Sequence, residues 1–294
     1  MLYDLAALAA AFSIALSNLI APSAVRHLGP VVFNGCRLAA ALAVVIGLVA
    51  IRGRWVWPPA DQIVLLAASG ALGIVIADSC FYAALARLGP RRSAVVYTSW
   101  AAFATILGYL VLGERVSLIK AVGMGFVVGG IVLAVMYRPS AAADAADGSK
   151  GISISGVLFG LAAALCAAGA VLIARPVMAA GVDPPTATAI RAAVGLLGLV
   201  AMSRLPGFRV SAPWTAAIAF RSAASGVLGM GVGMTLVLFA LAGQPVGIVS
   251  TLSSTTPIAI LPLLWMTSGV RPPAVAWLGA AFAVAGVAVI AGGY

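Results

Sequence analysis

The chain has 294 residues, of which 63% are hydrophobic and only 8% are charged, and its mean hydropathy is +1.16. Soluble domains carry roughly 25% charged residues, so this chain cannot cover a water-exposed surface, and an integral membrane protein is expected. The net charge of +10 does not indicate a nucleic-acid partner, because most of the 17 basic residues lie in short gaps between apolar runs, where they anchor lipid headgroups.

Ten apolar segments are long enough to cross a bilayer, whose hydrocarbon core of about 30 Å requires roughly 20 residues per helix. The first is predicted to be a retained helix and not a signal peptide, since no positive charge precedes it. Turn-forming pairs such as Gly29-Pro30, Gly89-Pro90 and Pro272-Pro273 separate most of the segments. The predicted spans are approximately 5–25, 31–51, 63–86, 93–112, 117–137, 153–175, 186–204, 214–241, 246–267 and 272–293.

A polar segment near the middle of the chain, 139–151, is predicted to be a linker between two five-span halves, 1–138 and 152–294. A half with five spans places its successor on the opposite side of the membrane, so the halves are expected to form an inverted repeat around a central cavity. Shifting the chain against itself by 156 residues supports this division, and a shift of 154 places Arg37 on Arg191. The glycines that coincide at 156 are Gly70 with Gly226, Gly73 with Gly229, Gly113 with Gly269, Gly123 with Gly279, and Gly130 with Gly286.

Several short motifs together resemble the drug/metabolite transporter superfamily, EamA type, and within it the aromatic amino acid exporters most. The resemblance implies a ten-helix exporter with a central cavity. The second half departs from the pattern, since Gly269 is followed by Val270 and Arg271 and offers no counterpart of Glu114. The motifs are Leu112-Gly113-Glu114-Arg115-Val116, Gly129-Gly130-Ile131-Val132-Leu133, Tyr82-Ala83-Ala84-Leu85, Pro257 before an apolar run, and the paired Arg37 and Arg191.

Asp78 is the carboxylate predicted to lie deepest in the bilayer, nine residues before Arg87 and hence about 13 Å from that end of its helix. A charged group at this depth is costly, which favours a functional role: binding a substrate ammonium or exchanging a proton. The alternative is a structural partner for an arginine or for helix hydroxyls. Tyr82 lies one turn further along the same helix face and is expected to share the site.

Arg37 and Arg191 are each predicted to lie about 10 Å inside their spans, six or seven residues after a proline. Either guanidinium could receive a substrate carboxylate through its planar fork. The alternative is a structural arginine between helices, repeated by descent.

Two further polar clusters are expected to face the cavity. Tyr97 and Trp100 share one face of the fourth span with Ser93, and Trp100 is too deep for the interfacial belt, although plain core packing would also explain the spacing. The ninth span carries hydroxyls just before Pro257, a breaker that frees a backbone carbonyl; they mark a site, a hinge, or interhelix hydrogen bonding. These hydroxyls are Ser250, Thr251, Ser253, Ser254, Thr255 and Thr256.

The function favoured by these features is a secondary transporter that exports small amphipathic metabolites, amino acids including aromatic ones, by alternating access. The alternatives are a carrier for another small metabolite or drug, a channel, or a membrane-embedded enzyme. An enzyme is disfavoured because the single histidine, His27, lies in a loop and no HExxH motif occurs, and no phosphate-binding glycine loop with lysine is present, so no cofactor or metal is expected.

A monomer in the bacterial inner membrane is expected, with a small-molecule substrate. The orientation of the termini stays open at the level of the sequence. Counting Arg and Lys in the loops places both termini outside the cytoplasm, whereas the family resemblance implies termini inside.

Overall fold

The computed structural model describes residues 1–53, 56–136, 153–204, 215–268 and 273–292. Over these residues all regular structure is helical, and ten helical segments are long and apolar enough to cross a membrane, as predicted. The predicted linker, 139–151, and the Val270-Arg271 pair lie outside the described residues. The spans, numbered in chain order, are Leu2–Ala21, Val31–Ile51, Ala60–Leu85, Arg92–Leu112, Leu118–Met136, Ile154–Ala179, Pro184–Ser203, Ala216–Gly243, Val246–Leu263 and Ala274–Gly292.

Several of these spans contain more than one helical segment. The helices are Leu2–Leu28, Pro30–Ile51, Ala60–Gly70, Asp78–Tyr97, Trp100–Leu112, Leu118–Met136, Ile154–Ala179, Pro184–Ser203, Ala216–Gly226, Thr235–Gly243, Val246–Ser253, Thr256–Ser268 and Ala274–Gly292. Two π-helical segments, Ala71–Ala77 and Val227–Met234, complete the third and eighth spans.

Local sequence explains where several helices begin and end. Gly29, with φ 73°, ends the first helix, and Pro30 begins the second, where its missing N–H would have had no helical partner. The Asp183 side chain caps the seventh span by accepting a hydrogen bond from the Thr186 backbone N–H at 3.2 Å. Gly113, with φ 65°, ends the fourth span in the left-handed conformation that favours glycine.

The third and fourth spans form an antiparallel pair. The helical segment Asp78–Tyr97 covers the end of the third span, the connection and the start of the fourth. The rings of Phe81 and Tyr97 lie 5.0 Å apart, whereas a straight helix would separate residues 16 positions apart by about 24 Å. The chain therefore reverses between these two residues, in the region of the predicted Gly89-Pro90 turn.

The π-helical segments and the helix interruptions of the first half recur in the second half, 156 residues later in the chain. The π-helical segments begin at Ala71 and Val227, which are 156 residues apart. The fourth span is interrupted between Tyr97 and Trp100, and the ninth is interrupted at the equivalent place, between Ser253 and Thr256. The two halves thus repeat their helix defects as well as their span order.

The ninth span breaks before Pro257 and not at it. Ser254 and Thr255 form the interruption, and Pro257 is the second residue of the helix that follows, where a missing N–H is tolerated. The Thr255 hydroxyl donates to the Leu252 carbonyl at 2.7 Å, and in the fourth span the Ser99 hydroxyl donates to the Val96 carbonyl at 2.7 Å. Hydroxyls therefore satisfy backbone carbonyls at both interruptions.

The fifth and tenth spans cross at glycines. A Cβ on Gly123 would lie 2.9 Å from the Gly286 carbonyl oxygen. A Cβ on Gly130 would meet the Gly279 carbonyl oxygen and would lie 2.6 Å from the backbone nitrogen of Ala283, one turn further along. Only glycine permits such close backbone approach. Because Gly123 meets Gly286 and Gly130 meets Gly279, the two helices run antiparallel, and the 156-residue shift exchanges one pair for the other. A two-fold axis in the membrane plane would produce this arrangement.

Candidate functional site

Asp78 follows the first π-helical segment directly and faces the second span. Its carboxylate accepts a hydrogen bond from the Asn34 side-chain amide, with 2.8 Å between Nδ2 and Oδ2. Asn34 is fully buried, and its Oδ1 has no hydrogen-bond partner among the described residues. The sequence prediction missed Asn34, although its position one turn before Arg37 on the same helix face could have indicated it.

A cavity of about 260 Å³ adjoins this pair, between the second, third and seventh spans. It lies towards the end of the bundle that holds Leu28, Leu85, Arg92, Ser203 and Ala216, here called the distal face; the end that holds Leu2, Ile51, Ala179, Pro184 and Val246 is called the termini face. Of the predicted site residues, Asp78 and Tyr82 line the cavity. The lining residues are Val31, Asn34, Asp78, Ser79, Tyr82, Ala83, Leu199 and Met202.

Arg37 lies beside the cavity and is not among the residues that line it. Its guanidinium donates to the Ser17 hydroxyl at 3.3 Å and lies 5.4 Å from the centre of the Phe33 ring. It is close enough to Asp78 and Tyr82 to interact electrostatically with both. Its Nε is buried and has no hydrogen-bond partner among the described residues.

Arg191 is fully buried in a different place, between the third, sixth and seventh spans. Its guanidinium donates to the Ser69 hydroxyl and, at 3.5 Å, to the Ala170 carbonyl, while its backbone packs on Gly70. Arg191 is eight residues before Leu199, or about 12 Å along the helix from the cavity lining. The structure therefore does not bring Arg191 together with Asp78.

The two arginines nevertheless occupy equivalent positions. The Arg37 backbone packs on Gly226, the counterpart of Gly70, and a Cβ there would lie 2.7 Å from the Arg37 Cα. Beside it, Ser17 donates to the Ser225 carbonyl at 2.7 Å. Each arginine thus packs against a span of the other half. For Arg191, whose guanidinium donates to Ser69 and Ala170, this supports the structural alternative.

Tyr97 and Trp100 form a continuous aromatic group with Phe81. The Tyr97 and Trp100 ring centroids are 6.3 Å apart and nearly parallel, and Phe81 meets Tyr97 edge-on at 5.0 Å. The Trp100 indole N–H donates to the Ser254 hydroxyl, which ties the fourth span to the ninth at their equivalent interruptions. This aromatic group adjoins the Tyr82 ring through Phe81, at 6.1 Å, and does not itself line the 260 Å³ cavity.

Of the six predicted hydroxyl residues of the ninth span, all except the partly buried Thr256 are buried. Ser254 accepts from Trp100 and donates to the Ser250 carbonyl at 2.7 Å, and Thr255 donates to the Leu252 carbonyl. The Ser253 hydroxyl has no partner among the described residues. Ser254 therefore has an identified contact with a predicted site residue, whereas Ser253 and Thr255 lie next to it in the same helix interruption.

Glu114 joins three elements at the termini face. Its carboxylate pairs with Arg175 of the sixth span at 3.1 Å and accepts the backbone N–H of Val246, at the start of the ninth span, at 2.8 Å. A carboxylate at a helix N-terminus is stabilised by the helix dipole. The Glu114 motif thus locks the end of the fourth span onto the second half.

The position equivalent to the Asp78 pair has different side chains. Asn34 corresponds to Thr188 at the 154-residue shift, and Ser79 corresponds to Thr235 at 156. The Thr188 and Thr235 hydroxyls are 2.9 Å apart and Thr188 is buried. Among the described residues, no group of three or more His, Cys, Asp or Glu side chains could hold a metal ion.

Comparison with known proteins gives the family. The model of the EamA-like transporter family matches residues 1–136 and 154–292. A solved structure described only as a crystal structure of a protein has a TM-score of 0.79 and 18% identity over 98% of this chain and 95% of its own, which shows the shared fold. No curated protein matches the chain. These two matched segments cover nearly the whole chain. The chain therefore belongs to the EamA-like transporter family, a family of multi-pass membrane transporters of small molecules.

Proposed function

We propose that the protein is a secondary transporter that exports small amphipathic metabolites, amino acids including aromatic ones foremost, by alternating access. The observation that carries this proposal is the cavity of about 260 Å³ that presents a carboxylate, Asp78, and a phenol, Tyr82, within membrane-spanning helices. An ionisable group placed at such depth and open to a cavity is a functional group by default.

The cavity's size and chemistry favour a metabolite over a larger drug. Its volume lies just below the roughly 300 Å³ at which pockets for drug-sized ligands begin. The Asp78 carboxylate is suited to an ammonium group, while Val31, Leu199 and Met202 offer apolar walls. A molecule with one cationic end and one apolar end matches both features.

The aromatic group next to the cavity is proposed to extend the substrate path. Tyr97 and Trp100 offer ring faces, worth about 0.5–1.5 kcal/mol for a well-placed aromatic partner beyond area burial. The hydroxyls of Ser253, Ser254 and Thr255 offer polar contacts at the interruption of the ninth span. An aromatic amino acid would use both kinds of contact as it moves between the halves.

The arginines have unequal roles in this proposal. Arg37 is the candidate partner for a substrate carboxylate, because its guanidinium lies near Tyr82 and Asp78 and keeps an unsatisfied Nε donor. Arg191 holds the third, sixth and seventh spans together from its buried position.

Alternating access is proposed to arise from an inverted repeat of 1–138 and 152–294. The reciprocal Gly123–Gly286 and Gly130–Gly279 contacts support an axis in the membrane plane. A cavity lies near the distal face, while Thr188 and Thr235 are packed together at the equivalent place near the termini face. If the halves exchanged conformations, the cavity would close on one side and open on the other. We place the protein in a bacterial inner membrane as a monomer.

Uptake by proteoliposomes that contain the purified full-length protein tests the proposal. The panel holds radiolabelled phenylalanine, tryptophan, alanine, a sugar and a carboxylic acid without an amine. Saturable uptake of the aromatic amino acids above protein-free liposomes is expected, with weaker uptake of alanine. Uptake of none of the panel would overturn the proposed substrate class.

A further inference from the structure

Asn34 offers a hydrogen-bond acceptor that the protein leaves unused. The Asp78 carboxylate, when ionised, can only accept hydrogen bonds, so the amide nitrogen of Asn34 must be the atom that faces it, at 2.8 Å. The amide oxygen therefore faces away from Asp78. This Oδ1 is buried in a side chain with 0% exposure, and it has no partner among the described residues.

A buried acceptor without a donor is costly, so such atoms usually serve a ligand or a bound water. Asn34 and Asp78 both line the 260 Å³ cavity. Asp78 is partly exposed and Asn34 contacts it at 2.8 Å, so a group that binds Asp78 comes next to the buried Asn34 amide. One position therefore combines a negative charge with a neutral oxygen that needs an N–H donor.

A primary ammonium group matches this combination. It carries a positive charge for Asp78 and three N–H donors, enough to bond the carboxylate and the amide oxygen at the same time. A quaternary ammonium carries the same charge but has no N–H, and a carboxylic acid without an amine has neither feature. Arg37, one turn along the helix from Asn34, interacts with the same carboxylate and is the group that the carboxylate of an amino acid would meet beside its ammonium.

We infer that Asn34 is a specificity-determining residue whose Oδ1 accepts an N–H of the substrate's primary ammonium while Asp78 neutralises its charge. The inference rests on the proposed transport function and names the group by which that site recognises its substrate. It assigns a role that the second half does not share, because Thr188 at the equivalent position bonds Thr235 instead.

Binding of a methylation series to the full-length protein in lipid nanodiscs tests this role. The probes are phenethylamine, its N,N-dimethyl and N,N,N-trimethyl derivatives, and 3-phenylpropionate. In the unaltered protein, affinity is expected to fall stepwise with methylation, by about tenfold or more from the primary to the quaternary amine. The acid should bind weakest.

The variant Asn34→Leu, of nearly the same shape, should reduce the preference for the primary over the quaternary amine, leaving only the part that comes from N–H bonds to Asp78. Asn34→Gln, which keeps both an amide oxygen and an N–H donor for Asp78, should retain more of the preference than Asn34→Leu. Asn18→Leu, an exposed asparagine of the first span that does not line the cavity, is the matched control and should leave the series unchanged.

A preference for the primary amine that is undiminished in Asn34→Leu would overturn the inference. Equal affinities along the series in the unaltered protein would also overturn it, and that measurement requires no variant to fold. Transport of phenylalanine and 3-phenylpropionate at equal rates would also overturn it while leaving the proposed function intact. Failure of the whole transport panel would remove the proposed function itself.

Discussion

The Asp78 pocket and its counterpart around Thr188 are built on the same backbone and carry different chemistry. Each includes the end of a π-helical segment, Ala71–Ala77 or Val227–Met234, and each of these segments packs against the span of the other half that carries Arg191 or Arg37. In the first half this framework presents a carboxylate, an amide and a cavity. In the second half it presents two hydroxyls that lie 2.9 Å apart and also contact backbone carbonyls.

This difference separates what the repeat preserves from what each half has specialised. A π-helical turn shifts the helix register by one residue and leaves backbone groups available, so its recurrence points to a mechanical role common to both halves. The charged group occurs on one side only. The π-helical backbone is therefore common to the two halves, whereas the carboxylate that lines the cavity belongs to the first.

The two faces of the bundle also differ in their polar contacts. At the termini face Glu114 pairs with Arg175 and accepts the Val246 backbone N–H. Buried apolar side chains pack around these contacts, including Ala7, Val177 and Leu238. The cavity beside Asp78 lies towards the distal face.

Replacement of Asp78 by asparagine should have the largest effect on ligand binding, because it removes the negative charge that distinguishes this pocket from its counterpart around Thr188. Affinity for phenethylamine should fall on the order of a hundredfold, since truncating one side of a buried charge pair costs about 2–5 kcal/mol. Asp61→Asn, at an exposed carboxylate in the first turn of the third span, is the control. If Asp78→Asn bound the amine normally but lost any dependence of transport on a pH gradient, Asp78 would be a proton site alone.

Glu114→Ala should weaken the contacts between the fourth, sixth and ninth spans at the termini face. The loss leaves Arg175 without its partner and the Val246 backbone N–H without its acceptor, and the free energy of unfolding should drop by about 2–3 kcal/mol. Thermal denaturation in detergent measures the effect. Arg115→Gln changes an exposed neighbouring charge and should not alter the midpoint. An equal loss of stability in both variants would mean that the loop, and not the ion pair, is what matters.

Gly130→Ala should disturb the crossing that relates the two halves. The added Cβ would lie 2.6 Å from the Ala283 backbone nitrogen, so the helices must separate, at a cost of about 1–3 kcal/mol. Gly129→Ala is matched in chemistry and helix position, but its Cβ meets nothing within 4 Å. That variant should be neutral or gain up to about 1 kcal/mol from helix propensity. Identical unfolding midpoints for the two variants would contradict the crossing.

Trp100→Ala should have the smallest effect of these variants. It tests whether the aromatic group contributes to substrate selection. Export of tryptophan and phenylalanine should fall by a few-fold up to about tenfold, more than export of alanine, because a ring partner is lost. Trp57→Ala, at a side chain that is 63% exposed, should spare both classes of substrate. A loss that is equal for aromatic and aliphatic substrates would assign Trp100 to packing alone.

Much of the architecture could be predicted from the sequence, because membrane spans follow from hydropathy and the repeat follows from coinciding glycines. Gly123, Gly130 and their partners proved to be the contact points between the fifth and tenth spans. The π-helical segments could not be predicted: Ala71–Ala77 is uniformly apolar, and a shift from i→i+4 to i→i+5 bonding leaves no periodic trace in such a run.

The site was predictable only in part, for reasons specific to its residues. Asp78 is identifiable because a deep carboxylate is costly, and Tyr82 follows from helix spacing. Asn34 is neutral and carries no such cost from the sequence alone; its role depends on which side chain of another span it meets. Arg37 and Arg191 look identical in the sequence, yet only Arg37 lies near Asp78, because spacing does not tell which face of a helix points at the cavity.

Counterflow is the most direct test that this protein is a carrier with its substrate site at Asp78. Proteoliposomes are preloaded with unlabelled phenylalanine, and entry of external labelled phenylalanine is followed over time for the unaltered protein and for Asp78→Asn. The unaltered protein should accumulate label transiently above its equilibrium level, and saturably so, whereas the variant should lose this overshoot. Label that enters in linear, non-saturable fashion whether or not the vesicles are preloaded, or an overshoot that is unchanged in Asp78→Asn, would contradict the account.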